Sequence, residues 1–390
     1  MDLLLLLLAL PGHAFFWVAL TNRIHGKGMP HGIGKLLTLP GLTFLALGPV
    51  ALAWWFIVVG PQPIEESLRS RLPPAAQVYL VACWVAGTIT ALCWFRRHVL
   101  HRPPNVVRSH RSRPLQLNRD AHAPSPDNHD SHFLVRMPGN QILQLDVTEL
   151  AIDVPRLPAA LDGLSIVHLS DFHFTGRIGK SYFQEVVAQA NEIEPDLMAV
   201  TGDLIDRPQY IDWLPETLGR LRARYGVFFV LGNHDRRADP ARIRDVLRRC
   251  GLVDLGGRWE QVEIRGEPVV LIGNELPWFP PAADVSNCPK PRDGGPTRIV
   301  LSHSPDQFAW ARTEDADLLL AGHTHGGQIR FPLIGPIFTP SELGVRYASG
   351  VFYNPPTILH VTRGVSGELP VRLNCPPEMA HLMLHAPRKA

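Results

Sequence analysis

Cysteine is scarce: five among 390 residues, odd in number and nowhere spaced as C-x-x-C. That argues against a disulfide framework or a zinc ribbon. Charge is missing too, but only locally. Residues 36–60 and 76–95 contain no Asp, Glu, Lys or Arg, and residues 3–20 carry a run of six leucines with His13 as the strongly polar member. Acids are absent from residues 96–119, where seven arginines stand without a counter-charge. Taken whole, a hydrophobic share of 45% with 19% charge excludes a chain disordered throughout.

The net charge of +2 conceals two dissimilar parts. Residues 1–135 hold 12 Lys and Arg against 6 Asp and Glu, whereas residues 136–390 hold 26 against 30. At about 150 residues per domain, the length allows two to three domains.

The three apolar stretches predict three transmembrane helices within residues 1–95, because about 20 helical residues cross a hydrocarbon layer of roughly 30 Å. The first has Asp2 in place of a basic leader region and no A-x-A site, so it reads as a retained span rather than a cleaved signal. Arg23, Lys27 and Lys35 follow it, and Arg96, Arg97, Arg102, Arg108, Arg111, Arg113 and Arg119 follow the third stretch. The positive-inside tendency then predicts a multi-pass protein of the inner, cytoplasmic membrane with its C-terminal domain in the cytoplasm. Residues 96–140, rich in Arg, His and Pro, read as a basic linker lying against anionic headgroups. Nucleic-acid binding is the competing reading of such a run, and its position directly after a membrane span disfavours it.

From residue 141 to 390 the pattern turns globular. Strands are expected over 141–154, 165–169, 197–201, 227–231, 269–272, 298–302 and 318–320, with helices over 180–193 and 213–224. Asp239 and Pro240 look like an N-cap and first helical position, and Gly251 like the helix end. Alternating strands and helices predict an α/β layered domain.

Polar residues recur wherever an expected strand ends: Asp171 and His173, Asp203, Asn233 and His234, His303, then His323 and His325. Loops at strand ends are where α/β folds build their sites. Asp, His and Asn all ligate divalent ions. The pairs Asp171-x-His173 and His323-x-His325 can each aim both side chains to one side. A single Gly-Asp is ordinarily a turn, and a lone buried His ordinarily a satisfied core group. Five such motifs in order are a different matter.

These blocks resemble the calcineurin-like metallophosphoesterases over roughly residues 160–365: DFH at 171–173, GDLIDR at 202–207, GNHD at 232–235, SH at 302–303 and AGHTHGGQ at 321–328. The extended AGHTHGGQIRFP and the late RGVSGELPVRLNCPPE look like the membrane-anchored bacterial branch. The resemblance implies a four-layer sandwich of two mixed β-sheets flanked by helices, and two divalent ions. Asp171, His173 and His325 would hold one ion, Asn233, His303 and His323 the other, and Asp203 would bridge them. His234 resembles the catalytic histidine that contacts the phosphate or protonates the leaving group, with Asp206 orienting it. The implied activity is hydrolysis of a phosphodiester or pyrophosphate by metal-activated water. Among relatives of this kind, some cleave UDP-2,3-diacylglucosamine in lipid A synthesis, which makes a lipid-linked substrate the sharpest expectation.

The chemistry agrees with such roles. Paired cations stabilise both attacking and leaving oxygens, a carboxylate can offer one oxygen to each ion, and a carboxylate partner fixes a histidine tautomer. Mn²⁺ is the first choice for a mixed N/O site, with Fe, Zn²⁺ or Mg²⁺ as alternatives. Two apolar loops, residues 276–281 (LPWFPP) and 331–340 (FPLIGPIFTP), are expected as packed loops, with lipid contact the other reading. The arginines at 236, 237, 242, 244, 248 and 249 are expected as a solvated face, with a diphosphate or headgroup contact as the alternative. Rival functions are a phosphatase or phosphodiesterase acting on a soluble nucleotide-type substrate, and a non-catalytic metal-binding scaffold.

Overall fold

The computed structural model describes residues 2–29, 31–59, 74–98, 104–117, 129–291 and 295–387. The chain forms two compact units, Met1–Arg102 and Pro103–Ala390. Glu65, Glu66, Arg69 and Arg71 of the expected second loop lie outside the described residues.

The first unit consists of helices α1 (Asp2–Gly26), α2 (His31–Val59) and α3 (Pro74–His98). Two stretches among the described residues, Gly32–Ala51 and Pro74–Arg96, are long and apolar enough to cross a membrane. The expected third, in α1, is not one of them. Residues 3–6 of its leucine run lie outside the described side chains. Polar groups turn inward instead of outward. His13 Nδ1 and Trp17 Nε1 lie 2.7 and 2.9 Å from Tyr79 Oη on α3. Large apolar side chains such as Leu36, Trp54, Val78 and Leu92 remain exposed.

The second unit opens with β1 (Val107–Gln116), within the stretch that the sequence suggested as a basic linker. It pairs antiparallel with β2 (Gln144–Asp153), following the short helix α4 (His129–Arg136). Few apolar residues are needed there, because an edge strand is held by its backbone ladder and tolerates outward charge and a proline such as Pro114. The remaining elements are β3 (Leu164–Leu169), α5 (Lys180–Glu192), β4 (Leu197–Thr201), β5 (Val227–Val230), α6 (Pro240–Arg249) and β6 (Val253–Asp254). Then come β7 (Trp259–Ile264), β8 (Glu267–Asn274), β9 (Thr297–Ser302), α7 (Phe308–Thr313) and β10 (Leu318–Ala321). A short hairpin of β11 (Arg330–Phe331) and β12 (Gly335–Pro336) precedes β13 (Gly350–Asn354), β14 (Thr357–Val361) and β15 (Glu378–His385).

Two mixed sheets result, ordered β1-β2-β15-β3-β4-β5-β6 and β13-β14-β10-β9-β8-β7. Their period-two patterns build the layers. Leu197 and Ala199 of β4 join Ile299 and Leu301 of β9 and Leu318 and Leu320 of β10 in the core between the sheets. Met198 and Val200 turn the other way, onto Phe183, Val186 and Val187 of α5 and Ile243 and Leu247 of α6. Val300 and Leu319 likewise pack on Phe308 and Ala311 of α7. Each such leucine or isoleucine contributes about 1.5–3 kcal/mol by leaving water. This arrangement of mixed sheets with flanking helices fits the expected sandwich.

The helix expected over residues 213–224 is replaced by 3₁₀ turns, Pro208–Glu216 and Leu218–Arg220. Gly219, interior to the expected helix, weakens it by about 1 kcal/mol relative to alanine.

Candidate metal centre

The carboxyl ends of β3, β4, β5, β9 and β10 converge, and the loops leaving them bring together every one of the sequence-derived site residues. The backbone is bent sharply to do so. Asp171, Asp203, His323, His173 and His325 all adopt positive φ, between 47° and 69°. Left-handed backbone is costly for residues with a Cβ and concentrates at functional sites. Two glycines make the close approach feasible. A Cβ on Gly202 would stand 2.7 Å from His303 Nδ1, and one on Gly322 would stand 2.5 Å from Asp171 Oδ2.

Asp203 lies at the centre. Its Oδ2 is 3.1 Å from His303 Nε2, 3.6 Å from His173 Nε2 and 3.9 Å from His234 Nε2. One carboxylate therefore faces two groups of ligating atoms. Asp171, His173, Asp203 and His325 form one group that could hold an ion; Asp203, His303 and His323 form another. Within the first, His173 Nε2 and His325 Nε2 are 3.2 Å apart. Two nitrogens bound at about 2.1 Å to one ion, at right angles, stand roughly 3.0 Å apart. Within the second, His323 Nδ1 is 3.1 Å from His303 Nε2. Asn233 Oδ1 is buried and accepts no hydrogen bond. An orphaned buried oxygen is expensive unless a cation or water meets it, so the donor set fits a metal.

Hydrogen bonds behind the rings fix their tautomers. His303 Nδ1–H donates to Thr201 O at 2.6 Å, and His173 Nδ1–H to Asp206 Oδ2 at 2.8 Å. Both rings thereby turn Nε2 toward the centre. Asp206 serves two rings rather than the one expected, since its Oδ1 also accepts from His234 Nδ1.

Charge follows geometry. Burial works against a charged Asp203, but His303 and His234 beside it hold its carboxyl well below the usual range. Burial opposes charge on His303 and His234 as well, yet Asp203 pushes each up to about 9. Burial, with His303 beside one ring and His173 beside the other, keeps His323 and His325 well below the ordinary imidazole value.

Three residues were not singled out from the sequence. Asp235, in the GNHD block, accepts N–H bonds of 2.8 Å from Leu204, Ile205 and Gly232, clamping two site loops together. Arg372 is fully buried and donates from Nη1 to His325 O (2.9 Å) and from Nη2 to Arg363 O (2.8 Å). Its signal was the late RGVSGELPVRLNCPPE block, which carried no assigned role. Glu368 places Oε2 4.0 Å from His234 Nε2. An exposed loop acid carries no sequence signal at all.

The loop at 276–281 is packed: Trp278 is buried, its ring centroid 4.8 Å from that of His323 and 5.3 Å from that of His303. The loop at 331–340 is not, and Phe331, Leu333, Ile334 and Phe338 are exposed. Of the arginine run, Arg244 is spent on Asp254 and Glu275, Arg248 on Asp254, Arg242 on Asp212 and Arg249 on Asp245.

Known proteins resemble this chain over the residues that carry these loops. The family model described as calcineurin-like phosphoesterase matches residues 164–327. Over 228 residues the chain is 32% identical to the phosphodiesterase YaeI of Escherichia coli, covering 56% of this chain and 81% of YaeI. The chain belongs to the calcineurin-like phosphoesterase family. This phosphoesterase is also 29% identical to the uncharacterized metallophosphoesterase YkuE of Bacillus subtilis, covering 60% of this chain and 84% of YkuE. A transmembrane protein with metallophosphoesterase domain from Danio rerio is 30% identical, covering 61% of this chain and 57% of that protein. The domain is thus that of a metal-dependent phosphoester hydrolase, and the converging loops of the phosphoesterase fold supply its candidate metal-binding cluster.

Proposed function

We propose that this chain is a membrane-anchored phosphoesterase that cleaves a phosphodiester, or a pyrophosphate, at a two-metal centre. The observation carrying this reading is Asp203, one buried carboxylate facing both groups of ligating atoms. Asp171, His173 and His325 would hold one ion, Asn233, His303 and His323 the other, with Asp203 shared. When bound, such a pair neutralises phosphate charge and supplies hydroxide near neutral pH. Mn²⁺ suits the mixed nitrogen and oxygen donors.

The residues do the positioning. Asp206 fixes His173 and His234 through their Nδ1–H groups. His234 keeps Nε2 toward Asp203 and the site mouth, and the Asp206 carboxylate on its Nδ1 favours the protonated ring. It can therefore donate a proton from Nε2 to a departing alkoxide. Asp203 and Asp171 remain acceptors at the centre.

A phosphodiester is favoured by the phosphodiesterase relative YaeI. Membrane anchoring is supported by two apolar helices, by their outward-facing Leu, Val and Trp side chains and by the inward His13–Tyr79–Trp17 cluster. With two spans, Arg23 and Lys27 fall on the same side as the arginines of residues 96–119. That side is cytoplasmic by the positive-inside tendency, and it places the catalytic domain there.

The test uses the full-length protein in detergent with added Mn²⁺, comparing bis-p-nitrophenyl phosphate with UDP-2,3-diacylglucosamine. Metal-dependent diester cleavage, reduced more than about 100-fold by Asp203→Ala, is the expected result. Preference for the lipid nucleotide would assign a lipid-linked substrate. Cleavage of soluble diesters alone would leave a phosphodiesterase that its anchor merely locates. Two bound metals with no hydrolysis of either would favour the scaffold reading.

A further inference from the structure

The segment that follows the ligand-bearing loop is built to display apolar side chains. Ile329, Phe331, Leu333, Ile334 and Phe338 are all exposed, Leu333 to 84%. They lie on and beside the β11–β12 hairpin, in which Arg330 pairs with Pro336 and Phe331 with Gly335. At its tip Ile334 N donates to Pro332 O at 2.8 Å, closing a three-residue turn around Leu333. Leu333 there has φ of 64°. A turn of that hand is strained, and glycine or asparagine would occupy it at lower cost than leucine. The sequence thus holds a large apolar side chain outward at a position whose backbone disfavours it.

The hairpin borders the metal centre. Ile329 is four residues beyond His325, and Gln328 Nε2 donates at 2.9 Å to the carbonyl of Leu369, another exposed apolar residue. Leu369 adjoins Glu368, whose carboxylate is 4.0 Å from His234 Nε2. Scattered exposed apolar residues need no explanation, but a cluster on one hairpin at a site mouth marks an interaction surface.

We infer that this hairpin inserts into the surface of the lipid bilayer in which the chain is anchored. The inference rests on the membrane reading above. Its occupant follows from the tether: only residues 99–106 separate α3 from β1, and eight residues reach no farther than about 30 Å. A tether of that length leaves the bilayer within reach of the second unit, and apolar tips gain by entering its interface. Insertion would bring the site mouth to the depth of phosphate headgroups.

The test is photocrosslinking in the full-length protein reconstituted in vesicles of phosphatidylethanolamine and phosphatidylglycerol. Leu333 is replaced by p-benzoylphenylalanine; the control carries it at Glu263, exposed on β7. Hydrolysis of bis-p-nitrophenyl phosphate, equal to wild type, certifies that each variant is folded. The expected result is a phospholipid adduct at position 333 about tenfold above that at 263. Protein that floats with the vesicles without a lipid adduct at 333 overturns the inference alone. Adducts only to a second copy of the chain overturn it in favour of self-association. Protein that does not float overturns the membrane reading, and the inference with it.

Discussion

Asp206 carries more than its place in the sequence suggests. It is one carboxylate holding two imidazoles, one among the metal-facing rings and one at the mouth. Asp206→Asn can accept from only one of them, since its amide nitrogen is a donor. We expect kcat to fall about 100-fold and metal affinity to weaken about 10- to 100-fold. Steady-state kinetics with metal analysis checks this, and loss of kcat at full metal content would confine Asp206 to His234. Titration is governed by Asp203. Without metal, His303 and His234 titrate near 9, above the ordinary 6.5. A raised histidine stabilises the fold fully below about 6.5, and that stabilisation is lost as pH climbs through about 9. The same proton must leave His303 before it can bind an ion. The Tm of chelator-treated protein should therefore fall between pH 6.5 and 9 while Mn²⁺ affinity rises, and flat profiles in both would contradict the assignment.

Strands and loops act as units around these residues. Asp235 ties the loop after β4 to the loop after β5 through three backbone donors. Asp235→Ala strands three buried N–H groups at about 1–3 kcal/mol each. Asp235→Asn keeps the acceptor for Leu204 and Ile205 but turns a donor toward Gly232 N–H. Both should lower Tm, alanine more, and chemical denaturation ranks them; an alanine variant as stable as wild type would remove the clamp. At the sheet edge, β1 covers the backbone of β2. A domain begun at Gln141 leaves that edge open to other chains. It should melt at least about 5 °C lower than one begun at Pro103, and elute partly as aggregates in size-exclusion chromatography. Equal Tm and a single monomeric peak would make β1 dispensable.

The molecule as a whole joins an apolar unit to an acidic one. Residues 1–135 are net basic and residues 136–390 net acidic. If the two apolar helices insert, alkaline carbonate, which strips surface-bound protein, should leave the full chain in the membrane pellet. Removal of residues 1–98 should release it under the same wash. Recovery of the intact chain in the supernatant would reduce the helices to a soluble bundle.

The site was legible because metal chemistry restricts residue types. Only a few side chains ligate divalent ions, and Asp171, His173, Asp203, Asn233, His303, His323 and His325 recur in order along the chain at the ends of expected strands. The layered fold was legible because strands covered on both faces read as short, largely apolar runs between helices, as β4, β9 and β10 do. Tertiary structure decided what one-dimensional spacing does not encode. β1 is a strand only because β2 offers it a ladder, so its arginine-rich composition gave no warning. Asp206 became a shared partner because His173 arrives beside it from 33 residues away. Arg372 found His325 across 47 residues, through backbone carbonyls that every sequence possesses. The two apolar loops read alike, yet Trp278 closed over the histidine rings while Leu333 stayed outside. That difference depends on which neighbours the fold brings near, and composition records no neighbours.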